Sequence, residues 1–230
     1  MANVTVVGLA GCSASGKTTV VEQLKAAAKV VIGDDLVIHV VSCDEYYKKL
    51  ESCPSFDLNS IPWPGGKIPD AFEERGNADL NSPGAVGWLK VLQHVYRLQL
   101  EAEEAFAAAT KKAKDEKSAA ASAAAGLSSS SPAKAAPAKV TTAALRAARR
   151  RTVILVEGLL LLADDEGAAA VRAEVSAFAV LASRPDSGAQ RDLWLRKYRR
   201  AGHLGKPSYE TRGVTEADYK AYWDHYVELR

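Results

Sequence analysis

A chain of 230 residues with 47% hydrophobic content is long enough to bury one core and does not require a second domain. Its formal charge of +2 does not single out nucleic acid as a partner. Cys12, Cys43 and Cys53 form neither a disulfide framework nor a zinc spacing. The opening residues lack the charged region of a signal peptide, and the longest apolar run, Thr152 to Ala163, is short and contains Glu157. A soluble, cytoplasmic protein with no membrane partner is expected.

In chain order, Val4 to Ala10 is a β-branched run ended by glycine and predicts a buried strand. Residues 11–18 read Gly-Cys-Ser-Ala-Ser-Gly-Lys-Thr, a full match to G-x-x-x-x-G-K-[ST], and a helix is predicted from Thr18 to Lys29. In this pattern the glycines let successive backbone N–H groups of Gly11, Cys12, Ser13, Ala14, Ser15 and Gly16 face phosphate oxygens. Lys17 then reaches the β/γ-phosphates, and Thr18, followed by Thr19, offers a hydroxyl to Mg²⁺ at the positive end of a helix. The motif needs a strand before it and a helix after it, and this sequence predicts both.

Leu36 to Val41 predicts a second strand, ending at Ser42-Cys43-Asp44. Asp44 is placed to take a proton from an acceptor hydroxyl and to help hold the metal. Residues 51–87, with Pro54, Pro62, Pro64, Pro69 and Pro83, predict a long irregular loop. A helix is predicted from Ser82 as N-cap with Pro83 at its first position, carrying Trp88, Leu89, Leu92, Val95 and Tyr96 at helical spacing. Residues 105–140 are rich in Ala, Lys and Ser and predict a low-complexity, largely disordered insertion. Positive charge concentrates here. Lys111 to Arg151 holds ten Lys/Arg and two Asp/Glu, leaving the remainder at −6.

Thr152 to Val156 predicts a strand whose tip carries Glu157, the position from which a carboxylate beside the phosphate loop holds Mg²⁺. Ser176 to Leu181 predicts a further strand, and Thr215 to Arg230 a terminal helix. Arg196 and Arg200, spaced i, i+4, share one helix face and can fold over a transferred phosphoryl group. The alternation of strand and helix predicts a doubly wound parallel α/β sheet of the P-loop NTPase kind, with ligand residues after the strand C-termini. A GTPase is disfavoured by the absence of an Asn-Lys-x-Asp motif. Asp164-Asp165-Glu166-Gly167 matches D-x-x-G only in letters. A transporter ATPase is excluded by size and by the missing Leu-Ser-Gly-Gly-Gln signature.

Six pieces, GLAGCSASGKTT, SCDEYYKK, GNADLNSPGAV, VILVEGLLL, LRKYRRAGH and YWDHYVELR, occur in one order along the chain. Together they resemble the nicotinamide riboside kinase branch of the uridine-kinase-like P-loop kinases. The resemblance implies five parallel strands, ATP with Mg²⁺ as donor and a nucleoside 5′-hydroxyl as acceptor, a place in NAD biosynthesis, and a monomer acting on a small molecule. It maps Asp44 onto the catalytic acid/base, Glu157 onto the metal-site carboxylate, Arg196 and Arg200 onto lid arginines, and Tyr47 onto the nucleoside pocket.

Three departures accompany it. Asn81 and Leu80 stand where the family has a ribose-binding Asp preceded by a stacking aromatic, and His203 stands near the second stacking position. The chain also stops at Arg230, where the family continues with another strand and helix, so the last strand is expected to be lacking. The expectations are therefore a nucleoside kinase, a kinase for a pantothenate- or glycerate-type acceptor, or a nucleotide-binding relative without turnover.

Overall fold

A computed structural model describes residues 3–74, 76–126, 150–182, 187–200 and 207–226. Strands β1 (Asn3–Gly11), β2 (Leu36–Ser42), β3 (Arg151–Gly158) and β4 (Ala177–Leu181) form one all-parallel sheet in the order β2-β3-β1-β4. The helices are α1 (Lys17–Val31), α2 (Asp70–Glu73), α3 (Trp88–Gly126), α4 (Glu166–Ala173), α5 (Ser187–Arg199) and α6 (Glu216–Tyr226). None of the described helices is long and apolar enough to cross a membrane.

Parallel strands carry connections that cover both faces, so their residues are apolar on both sides. Alternate residues divide accordingly. Val6, Ala10, Val41, Ile154 and Val156 pack with Trp88, Val91, Val95 and Leu98 of α3 and with Ala168 and Val171 of α4. Leu9 and Leu155, with Val7, Ile38, Val40 and Val153 beside them, pack against Val20 and Val21 of α1. Helices therefore flank the sheet on both faces. β4 is an edge strand, and its Phe178 and Val180 remain exposed.

One element starts later than the sequence reading has it. Pro83 does follow an N-cap-like Ser82, but it opens only a 3₁₀ turn, Pro83–Ala85. Val86 is extended and pairs antiparallel with Tyr47, which delays α3 until Trp88. The helix then runs 39 residues to Gly126, roughly 58 Å at helical rise. It therefore enters the segment expected to be low in structure, and residues 127–149 lie outside those described.

The 51–87 segment is irregular, as its composition predicts, holding only short 3₁₀ turns and α2, and it is firmly packed. Leu58, Ile61, Trp63 and Phe72 form a second core with Leu193, Trp194 and Tyr198 of α5 and Tyr219, Tyr222 and Trp223 of α6. Phe72 is fully buried, its ring centroid 4.6 Å from Tyr222 and 5.1 Å from Tyr209. Two of the polar ends in this core are satisfied by backbone. Trp63 Nε1 donates to Leu58 O at 2.9 Å and Tyr198 Oη to Val214 O at 2.9 Å.

The D-x-x-G match has a structural role. Asp165 is the N-cap of α4, its carboxylate accepting from Gly167 N at 2.9 Å and Ala168 N at 3.1 Å. Replacing it by alanine is expected to lower unfolding stability by about 1 kcal/mol, read by urea denaturation. An unchanged denaturation midpoint would show that this cap does not hold α4.

Candidate active site

The site is built where β1, β2 and β3 end. β1 finishes at Gly11, and a Cβ there would lie 2.8 Å from Leu181 O and 2.9 Å from Ser15 Oγ, so only glycine lets the loop turn back so closely. Cys12 to Gly16 form a tight loop in which Ser15 N donates to Cys12 O at 3.2 Å. Ala14 has φ 64° and Gly16 φ 90°. Ala14 is the sole non-glycine with positive φ among the described residues. Such left-handed residues disfavour an L-side chain by about 1–2 kcal/mol, and their recurrence here curls the backbone into the concave form that binds anions.

Gly16 caps α1 without any side-chain hydrogen bond, and the first turn holds no acidic residue. The N-terminal N–H groups of α1 are thus left for another acceptor, at the positive end of the helix dipole. Thr18 and Thr19 lie exposed on that first turn. Lys17 Nζ is folded back on the loop, donating to Gly11 O at 2.9 Å and Cys12 O at 3.1 Å. Burial lowers its pKa from the usual lysine value, while Asp44, Glu157 and Cys12 act to raise it and the Arg200 guanidinium to lower it. The charges of Asp44, Glu157 and Arg200 therefore converge on one ammonium group.

Glu157 lies buried at the C-terminal end of β3. In the β2–β3 register it stands opposite Ser42, whose hydroxyl acts to lower its pKa. Burial raises the Glu157 pKa, with Asp44 and Glu45 adding to the rise against the lowering influence of Ser42 and Lys17. Its second oxygen, Oε2, is buried without a partner among the described residues, as is Ser15 Oγ in the loop. An orphaned buried carboxylate oxygen beside a phosphate-type loop fits a hard cation, which would reverse the shift. No group of three or more His, Cys, Asp and Glu gathers among the described residues. Mg²⁺, which takes one or two carboxylates and leaves other positions to phosphate and water, does not need one.

Asp44 lies exposed on a 3₁₀ turn, Cys43–Tyr46, directly after β2. Cys43 beside it is buried under Gly158, and burial, with Asp44 and Glu157, pushes its thiol up to about 12, so it remains protonated. Tyr47 is half-buried and bridges Val86, while Lys48 N donates to Ala85 O at 2.8 Å. This strap brings the turn holding Asn81 to the Asp44 segment. Asn81 is half-buried, and its amide donates to the buried Asp79 carboxylate at 3.0 Å. Arg196 and Arg200 are both exposed on α5 and its last turn, where Arg200 N donates to Arg196 O at 2.9 Å. Of the two, Arg200 is the one whose charge reaches Lys17. His203 lies outside the described residues.

Sequence reasoning missed Ser42, Tyr46 and His94. Ser42 had a signal, since it ends β2 as Glu157 ends β3. Tyr46 Oη and His94 Nδ1 of α3 are hydrogen-bonded, 48 residues apart in sequence. Burial and then Arg97 hold His94 below its ordinary pKa, while burial and Glu45 hold Tyr46 above its own, which keeps both groups neutral near pH 7. A scan against protein-family models finds no match to this chain, and a search of the curated proteins finds none either.

Proposed function

We propose that this chain is an ATP-dependent kinase that transfers the γ-phosphoryl group to a hydroxyl of a small metabolite, with a nucleoside such as nicotinamide riboside or uridine favoured as acceptor. The observation carrying this reading is the convergence of Lys17, Asp44, Glu157 and Arg200 at the uncapped end of α1. A protein that only held nucleotide would need the loop and its lysine. An exposed carboxylate beside them serves a second substrate. The strand order, with the glycine loop after β1 and a buried acid after β3, further supports the uridine-kinase-like branch of P-loop folds.

In this mechanism the loop amides and the α1 N-terminus hold the triphosphate, and Lys17 leaves its carbonyl partners to pair with the β/γ-oxygens. Thr18, Asp44 and Glu157 would hold Mg²⁺, which would neutralise charge on the phosphates. Asp44 accepts the acceptor hydroxyl's proton as its oxygen bonds to the γ-phosphorus, and the bond from that phosphorus to the bridging oxygen breaks, releasing ADP. Arg200, with Arg196 one turn before it, lies on the segment that stabilises the phosphoryl oxygens during transfer. Tyr47 and Asn81 line the acceptor side. Asn81 can bond a hydroxyl without the charge of an acid, and half-buried Leu80 adds apolar surface without ring stacking.

The test is ADP release from Mg-ATP with nicotinamide riboside, uridine, cytidine, pantothenate and glycerate. Acceptor-dependent ADP with one of the nucleosides is expected. Turnover with pantothenate or glycerate alone would keep the kinase and change its acceptor class. No turnover with any acceptor, despite measured ATP binding, would favour a nucleotide-binding protein.

A further inference from the structure

The turn that carries Asp44 is tied to the start of α3 in an unusually direct way. Tyr46, the last residue of the turn, accepts at its carbonyl from Gly87 N at 2.8 Å, and the next two residues are strapped to Val86 and Ala85. Seven residues beyond Gly87, His94 reaches back to the Tyr46 hydroxyl, the two rings tilted at 56° with centroids 6.0 Å apart. Helix α3 is a fixed platform here, because Trp88, Val91, Val95 and Leu98 are all buried in the sheet core. Asp44 is exposed, and no hydrogen bond to its own side chain is seen among the described residues. The place of its carboxylate is therefore set by the turn, and the turn is held to α3 through its backbone and through the Tyr46–His94 bond.

We propose that His94 is a positioning residue, holding the Asp44 turn in its working place through the Tyr46 hydroxyl. This rests on the kinase reading, in which Asp44 is the proton acceptor. A neutral imidazole is suited to the task because, with its proton on Nε2, Nδ1 offers one lone pair in a fixed direction to the Tyr46 hydroxyl, and the ring sits on a helix that cannot shift without opening the core. Displacement of a reacting group by about 1 Å costs up to about 10²-fold in rate, so a tether of this kind acts on turnover without touching substrate.

Tyr46→Phe and His94→Leu each remove the bond, and His94→Asn keeps an acceptor close to the Nδ1 position. In the full chain, amide hydrogen exchange at residues 44–47 is expected to quicken about fivefold in the first two variants, the equivalent of one neutral hydrogen bond, with the β1 and β3 amides unchanged. Acceptor-dependent kcat should fall roughly 10–100-fold while KM for ATP stays within about twofold, and His94→Asn should recover most of the loss. The double variant Tyr46→Phe/His94→Leu should be no worse than the poorer single one. Unchanged exchange at 44–47, or kcat within twofold in Tyr46→Phe, would overturn the proposal. Absence of turnover in the unaltered protein would instead defeat the kinase reading, and the exchange measurement would still decide whether His94 holds the turn.

Discussion

Asp44→Asn is expected to lower acceptor-dependent turnover by about 10²–10⁴-fold, the range a positioned general base contributes, while leaving Mg-ATP affinity within a few-fold of the original. The exchange of one carboxylate oxygen for an amide changes neither size nor exposure much, because Asp44 lies at the surface of its turn and not in the core. What it removes is a proton acceptor and one negative charge beside Lys17. Asp44 is first among the groups that raise the Lys17 pKa, so its loss should lower that pKa further. It should also relieve part of the raised Glu157 pKa, since Asp44 contributes to that rise.

The two changes act on phosphate binding in opposite senses. A more easily deprotonated lysine weakens attraction to the triphosphate, and a more readily ionised Glu157 strengthens the hold on the metal. Near-constant ATP affinity with collapsed turnover is the signature of a group that works on the acceptor. Isothermal titration with Mg-ATP and steady-state kinetics with the preferred acceptor would measure both. Turnover comparable to the unaltered protein would remove Asp44 from the chemistry. A matching collapse of ATP affinity would make it a nucleotide or metal ligand first.

The parts of the molecule legible from sequence are those whose physics is local. Parallel strands buried on two faces must be continuous apolar runs, and Val4–Ala10, Leu36–Val41 and Thr152–Val156 lie within β1, β2 and β3; Ser176–Leu181 is also an apolar run and matches β4 from Ala177 on, although that edge strand stays largely exposed. The phosphate-type loop was legible because its backbone curvature demands glycine at fixed spacing, seen at Gly11 and Gly16.

What was not legible depends on partners distant in the chain. The start of α3 looked like Pro83 because proline favours a first helical turn. The extended pairing of Val86 with Tyr47 overrides that preference and moves the start to Trp88. The irregularity of residues 51–87 was legible but their packing was not, because Trp63 and Phe72 find their neighbours near Trp194 and Tyr219, more than a hundred residues away. Glu157 and Asp44 could each be suspected of a role. Their joint action on Lys17 needed the β2–β3 register, which sets the ends of the two strands side by side and sends the chain directly on into the Asp44 turn.

Lys17→Ala is the change with the broadest expected effect, since in the proposed mechanism one side chain serves both the ground state and the transferring phosphoryl group. Charge-assisted hydrogen bonds to phosphate contribute about 1.5–3 kcal/mol each, so the loss of one should weaken ATP binding roughly 10–100-fold. Turnover should fall further, by about another 10²–10³, because charge grows on the oxygens that Lys17 faces as the phosphoryl group moves. The fold should tolerate the change. The two carbonyls that Lys17 serves, Gly11 O and Cys12 O, border an exposed loop residue and can be hydrated.

Thermal denaturation without ligand is therefore expected to change little, whereas the stabilisation conferred by Mg-ATP should largely disappear, since a ligand stabilises only in proportion to its affinity. Lys17→Arg is a useful companion. It keeps the charge but substitutes a broad planar fork for a compact ammonium, in a loop where Gly11 already approaches Leu181 within 2.8 Å of a would-be Cβ. It too should lose turnover, and a fully active Lys17→Arg variant would show that charge alone suffices there. Undiminished ATP binding and turnover in Lys17→Ala would remove the loop from nucleotide recognition, and with it the proposed kinase.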